Sequence, residues 1–266
     1  MNTPRQQAAQ LLWQQRLSGS VIDQLPEGLR PGSAHEGHAI QAELPGVAGR
    51  SVVGWKIAAT SEAGQKHINV AGPLPGRILS GTLFDVGAAV SLAGNRMAVV
   101  EPEFAFRMGA DLAPRATPRS QDEVLAAVAS LHPAFEVPDS RYTVFTQVGE
   151  AQLIADNACC GPFAFGPAAS ADWRALDLAS HRVHASVTGA DGRVRLTREG
   201  EGRAALGDPR VALTWLANQL SALGLTLQAG TTVSTGTCMV PLAVLPGDQV
   251  TADFGVLGRI EMRLAS

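Results

Sequence analysis

The stretch VVEPEFAF, residues 99–106, places Glu101 and Glu103 two apart in an otherwise apolar run. In an extended strand, side chains alternate between faces. Val100, Pro102, Phe104 and Phe106 then point one way, and Val99, Glu101, Glu103 and Ala105 the other. The two carboxylates share a face, about 7 Å apart at Cα. Away from bulk water they stay ionised only with positive charge or water between them. Such a pair can converge on a hard dication, and the same spacing also suits a strand with one wet face. HPAFEVPDS adds a third acid, Glu136, between Phe135 and Val137 and flanked by Pro133 and Pro138. It fits as a third ligand of an octahedral ion, or as one half of a buried salt bridge to Arg141.

Lysine usage points to the same region. Of 21 basic residues only Lys56 and Lys66 are lysine, and Lys56 lies inside VVGWKIAAT. Facing an apolar interior, its pKa would fall and suit it to proton transfer; at a strand end it would instead reach out to solvent. His181 and His184, three apart on a predicted strand, face opposite sides, whereas His35 and His38 can share a helix face. No GxSxG, HExxH or Walker loop occurs, and Cys159 and Cys160 have no basic neighbour in sequence to activate a thiolate.

The elements that must hold these groups are legible in outline. The spacing predicts helices over 4–17, from the cap Ser33 to Leu44 (stopped by Pro45-Gly46), over 62–68 after Ser61, over 121–131 after Ser120, over 149–158, and over 209–224. Residues 52–60, AVSLAG, MAVVEPEFAFRMG and the tail read as strands, and HPAFEVPDS runs extended. HRVHASVTGADGRVRL reads as a hairpin around Ala190-Asp191-Gly192, and 71–87 as a long loop. Helices come first and strands later, without regular βαβ alternation, which argues for an α+β fold. The expected division is a helical N-terminal portion over 1–50 and a catalytic domain over 51–266.

Composition excludes several classes. With 17% charged residues and a net charge of −3, the chain has no basic field for nucleic acid. No window approaches about 18 uninterrupted apolar residues, so no membrane span is expected. The N-terminus lacks a secretion signal's apolar core, and three cysteines without a CxxC pair fit a reducing compartment, so the expectation is a soluble, cytoplasmic protein.

GWKIAATS, VEPEFAF, PAFEVPDS, IADNACCG, GDPRVALTWLANQL and GDQVTADFGVLGRI occur in an order that resembles the 2-keto-4-pentenoate hydratase family of the fumarylacetoacetate hydrolase superfamily, over roughly residues 5–265. The resemblance implies a rolled mixed β-sheet in an oligomeric enzyme. It implies Mg²⁺ or Mn²⁺ on Glu101, Glu103 and Glu136, and a catalytic lysine at Lys56. It also implies contact of Asp156, Cys159 and Thr237 with the substrate, a short 2-hydroxy-dienoate or 2-oxo-enoate from aromatic catabolism.

This chain departs from the family pattern in three places. Leu74 stands where hydratases carry an acid, a role Asp85 is then expected to fill. Cys159 replaces a small hydroxyl, and His38 replaces a tyrosine although Gln41 is kept. The implied reaction is hydration. Its rivals are decarboxylation of a vinylogous 2-oxo diacid, C–C hydrolysis of an acylpyruvate using His35 or His38 with Glu36, and a non-catalytic scaffold. Arg77, Arg141 and Arg203 are candidates for binding a distal carboxylate.

Overall fold

The computed structural model describes residues 2–266. Helix α1 (Pro4–Ser18) starts in a capping box, in which Thr3 accepts from the Gln6 N–H and the Gln6 side chain accepts in return. Helix α2 (Ala34–Ala48) is capped by Ser33 and continues one turn beyond the expected stop, through Pro45. A proline in the last turn forfeits only the bond to the carbonyl four residues earlier, and the left-handed Gly49 ends the helix instead. Next come β1 (Val52–Ala58), α3 (Glu62–Ile68), β2 (Leu74–Leu79), β3 (Leu83–Asp85), β4 (Ala89–Ser91) and β5 (Val99–Met108).

The expected loop over 71–87 thus contains two strands. Pro75 is tolerated because β2 lies at a sheet edge, where one row of N–H groups needs no partner. Helix α4 (Gln121–Ala126) stops short of the predicted 131, and β6 (Val128–Glu136) begins almost at once. Pairing of β6 along nearly the whole of β5 overrides the helix preference of the Ala- and Leu-rich stretch. Then follow α5 (Glu150–Ala155), β7 (Phe163–Phe165), β8 (Arg182–Thr188), β9 (Val194–Glu201), α6 (Pro209–Ala222), β10 (Thr232–Thr237), β11 (Leu242–Ala243), β12 (Gln249–Asp253) and β13 (Arg259–Ala265). The β8–β9 pair is the predicted hairpin.

The strands form two mixed sheets. One runs β2-β1-β10-β5-β6-β7-β3, with β11 beside β5; the other runs β4-β13-β12-β8-β9. Parallel pairs (β1 with β10, β3 with β7, β4 with β13) sit among antiparallel ones, and the sheet is rolled, giving the expected α+β architecture. Trp55, Phe104, Phe106, Val233 and Phe135 join one core with Leu213 and Leu216 of α6 and Val187, Val250 and Ile260 of the second sheet. One face of the larger sheet is therefore committed to the interior. The period of two hands the other face to Lys56, Glu101 and Glu103.

A second core joins Ala8, Leu12 and Ile40 of the first two helices to Tyr142 and Ala155. The buried Gln41 amide ties α2 to the main sheet region, donating to the Pro75 and Ile154 carbonyls at 2.8 and 3.2 Å. Replacing it by leucine keeps the bulk and leaves two buried carbonyls without this donor, each worth about 1–3 kcal/mol. Gln41→Leu is expected to lower the unfolding free energy, read by urea titration, by an amount in that range; an unchanged value would show that the amide carries no load.

A candidate divalent-metal and acid–base site

Strand register brings the acids together. Glu101 lies opposite Glu136 in the β5–β6 pair, and Glu103 lies opposite Thr237 of β10. One oxygen from each of Glu101, Glu103 and Glu136 falls within 4.8 Å of the others. Lys56 of β1 sits beside Ser234 of β10 and reaches the group, with Nζ 3.3 Å from Glu136 Oε1. Lys56, Glu103 and Glu136 are buried, while Glu101 keeps part of its surface open.

Each buried acid has one oxygen held and one free. Glu103 Oε2 accepts from the Ser234 hydroxyl and from the Gly236 N–H, at 3.0 Å. Glu136 Oε1 accepts from Lys56 and from the Gly161 N–H, at 3.2 Å. Glu103 Oε1 and Glu136 Oε2 have no hydrogen-bond partner among the described residues. Buried polar atoms are rarely left so unless something else binds them. Three carboxylates and one ammonium leave a surplus of two negative charges, which a dication would balance. The donor set, all carboxylate oxygen, suits a hard ion such as Mg²⁺. The residues fit the ion.

The electrostatics agree. Burial raises Glu101, Glu103 and Glu136 above the usual carboxylate range. The neighbouring Glu136 charge adds to this for Glu101 and Glu103, and Lys56 opposes it in all three. Burial pulls Lys56 down, yet Glu136 and then other anionic neighbours outweigh it and its pKa ends above that of a free lysine. The expected lowering is thus reversed: Lys56 faces carboxylates rather than an apolar wall. Glu136 takes Lys56, not Arg141, as its partner, and Arg141 pairs with Asp139.

The segment that closes the site is strained. Asn157, Ala158 and Cys159 have φ of 58, 53 and 59°, a left-handed run costing about 1 kcal/mol or more per residue. The Asn157 side chain holds it by bonding both backbone groups of Arg77, at 2.7 and 2.8 Å. Gly76 permits the close approach; a Cβ there would lie 2.7 Å from the Asn157 carbonyl oxygen and 3.0 Å from Lys56 Cγ.

A cavity of about 720 Å³ opens onto Lys56 and Glu101 and is also lined by Cys159 and Thr237. Asp156 does not line it: its carboxylate accepts from the Ser140 hydroxyl and the Arg141 N–H, both at 2.7 Å, and so anchors the 138–142 turn. Asp85 is exposed on β3, at the sheet edge opposite β2, because β3 pairs with β7 rather than near β1. It does not line the cavity. His35, Glu36 and His38 lie on α2 and also stay outside the lining. Arg77 stacks on Trp55 at 4.7 Å, Arg141 is buried against Asp139, and Arg203 is exposed beside Glu201. His67 and Arg96, which do line the mouth, carried no pattern in the sequence, and the Gly161 and Gly236 N–H donors are backbone groups that no residue type announces.

Two outcomes follow from the charge surplus. Acids with raised pKa make the folded state hold more protons than the unfolded one, so stability falls as pH rises above the ordinary carboxylate range; below that range both states are protonated and the penalty vanishes. The metal-free melting temperature is expected to fall between about pH 5 and about pH 8. The fall should be smaller in Glu103→Gln, and Mg²⁺ should raise the melting temperature more at the higher pH; equal slopes in both proteins would contradict the charge accounting. Ser234→Ala is expected to weaken Mg²⁺ binding by about tenfold or more, read by calorimetry, because it removes one of the two donors that hold Glu103 Oε2 in place.

Residues 79–265 match the family model described as fumarylacetoacetate (FAA) hydrolase C-terminal. A 2-hydroxyhexa-2,4-dienoate hydratase from Comamonas testosteroni is 34% identical over 203 residues, 76% of this chain and 74% of that one. A 2-keto-4-pentenoate hydratase from Paraburkholderia xenovorans (strain LB400) is 31% identical over 265 residues, 98% and 95% of the two chains. Among solved structures, 4-oxalocrotonate decarboxylase from Pseudomonas putida G7, complexed with magnesium and adipate, superposes with a TM-score of 0.84 at 25% identity, covering 98% of this chain and 97% of that one. Matched along most of its length, the chain belongs to the fumarylacetoacetate hydrolase family, in its 2-keto-4-pentenoate hydratase group.

Proposed function

We propose that this protein is a divalent-metal-dependent hydratase. It adds water to a 2-hydroxy-2,4-dienoate, by way of its 2-oxo-enoate tautomer, to give a 4-hydroxy-2-oxo acid in the breakdown of aromatic-derived acids. The observation that carries this reading is the buried acid triad with free oxygens beside a single ammonium at the end of a cavity. Glu101, Glu103 and Glu136 would hold Mg²⁺ or Mn²⁺. Such an ion, when bound, supplies Lewis acidity at the substrate's 2-oxygen.

The remaining work falls to the chain's own groups. Lys56, protonated at rest, gives a proton from Nζ to C5 of the dienol and recovers one from the 2-hydroxyl, which completes the tautomerisation with no net proton change. Water then bonds to C4 through its oxygen and leaves its proton on C3. The buried strand positions of Lys56 and Glu136 fix the proton donor against the reacting carbons rather than on a mobile loop. Three unpaired cysteines suit a reducing, cytoplasmic setting for this chemistry.

Decarboxylation of a vinylogous 2-oxo diacid is the second reading, favoured by the likeness to the Pseudomonas putida decarboxylase structure. Loss of CO₂ from such a diacid ends at the dienol from which hydration starts, so the two reactions call for nearly the same site. In a Mg²⁺-supplemented assay, loss of dienoate absorbance with a 4-hydroxy-2-oxo product and no CO₂ is the expected result; CO₂ release from 4-oxalocrotonate at a comparable rate would replace hydration by decarboxylation. EDTA is expected to abolish turnover, and Mg²⁺ or Mn²⁺ to restore it. Lys56→Met is expected to lose roughly 10²-fold or more in kcat while binding Mg²⁺ as tightly as the parent or more so, since a competing positive charge is gone. A Lys56→Met enzyme as fast as the parent would remove Lys56 from the reaction.

A further inference from the structure

The cavity is much larger than a five-carbon acid requires. At about 720 Å³ it falls in the roughly 300–1,000 Å³ range of pockets that enclose drug-sized ligands. Its charged groups are few, and Thr60, Ser61 and Thr237 add neutral hydroxyls to the lining. Lys56 and Glu101 stand together at the buried end, and Cys159 is a neutral thiol, since burial pushes it up to about 12. The other ionisable lining groups among the described residues, His67 and Arg96, are exposed. Much of the remaining wall is apolar: Met97 and Val99 from the approach to β5, Phe145, and the Met239-Val240-Pro241 turn after β10. Neither the buried Arg141 nor the half-buried Arg77 lines this space.

Resting on the reading of the site as one for 2-hydroxy-dienoates, we infer that the substrate continues beyond C5 as an uncharged alkyl or aryl tail. The Met97, Phe145 and Met239 wall selects that tail and rejects a distal carboxylate. The acid head and the 2-oxygen belong at the Lys56–Glu101 end, because that is where the charge is. A chain laid outward from there meets thioether, phenyl and valine surface. Each methylene buried against it is worth about a factor of four in affinity. A carboxylate at the same place would lose its water without a partner. Arg96 is the competing cation at the mouth, without an acid partner among the described residues; being exposed, it keeps its own hydration and holds a carboxylate weakly.

The test uses the Mg²⁺-loaded protein and three unreactive saturated analogues, 2-oxopentanoate, 2-oxooctanoate and 2-oxooctanedioate, with affinities read by calorimetry. Binding of 2-oxooctanoate is expected to be about tenfold or more tighter than that of either other acid. The diacid binding as tightly as the monoacid, or the five-carbon acid binding as tightly as the eight-carbon one, overturns the inference. Met97→Lys, checked for folding by circular dichroism and for Mg²⁺ affinity, is expected to narrow the monoacid-to-diacid ratio by about tenfold; a folded variant with an unchanged ratio removes this wall from recognition. Arg96→Gln is expected to leave the ratio within about twofold, and a larger change assigns the tail's end to Arg96 instead. A parallel assay with the corresponding 2-hydroxy-dienoates separates the two levels of argument. If the binding preference holds while no dienoate is hydrated, the tail assignment stands and the hydratase reading falls.

Discussion

Everything in this molecule is arranged around an electrostatic problem: three carboxylates and one ammonium gathered in a space where the protein has replaced most of the water. Like charges at such distances are tolerated only when each is held by specific donors and the remainder is neutralised. The structure supplies the first condition through Ser234, the Gly236 and Gly161 N–H groups, and Lys56, and leaves the second to something that can use two free carboxylate oxygens. A rolled sheet is a good frame for this. Four adjacent strands, β1, β10, β5 and β6, each present one or two side chains on the same face, and their register fixes separations that loops hold less firmly. The opposite face, rich in Phe and Trp, anchors the same strands in the core, so the charged cluster cannot relax by tilting them.

The peripheral elements make sense as supports for that frame. Asp156 and Asp139 carry no evident role in chemistry, yet they pin the turn that follows Glu136: one accepts from Ser140 and Arg141, the other from the Arg96 N–H while pairing with Arg141. Arg16 of α1 reaches the Asp139 carbonyl, and Gln41 of α2 bridges β2 and α5. The helical layer at the N-terminus is thereby tied to the two segments that flank Lys56 and Glu136. The left-handed run at Asn157–Cys159 belongs to the same scheme, since its strain is held by bonds to Arg77 and its product is a cavity wall beside Lys56.

How much of this the sequence disclosed depends on the kind of signal. Period-two alternation in VVEPEFAF and isolation of Lys56 in an apolar run are local facts, and they located the acids and the ammonium. Helix caps at Ser33, Ser61 and Ser120 were equally local and equally readable. What failed was decided across strands. The Ala-rich stretch after residue 126 reads as helix until β5 is available to pair with it, and 71–87 reads as loop until β1 gives Pro75 an edge to occupy. Asp85 reads as a substitute acid from its offset along the chain, but offset says nothing of position across a sheet, and its strand pairs at the far edge. Of the donors that hold Glu103 and Glu136, the Gly236 and Gly161 peptide N–H groups are announced by no residue type.

The reversal at Lys56 carries the most chemical consequence. An apolar pocket would make a lysine a base; a carboxylate pocket makes it an acid that holds its proton firmly. Yet the proton affinity of Lys56 is not a fixed property of the fold, because it derives from the same negative surplus that the triad presents to a cation. Any positive charge that binds the free oxygens of Glu103 and Glu136 draws the carboxylate field toward itself and loosens the hold of Glu136 on Nζ. Neutralising the cluster and freeing the lysine's proton are then one electrostatic event seen from two sides. That coupling explains why a single lysine and three acids share one face of one sheet: separated by another layer of protein, the acids would still bind a cation, but the lysine would not feel it.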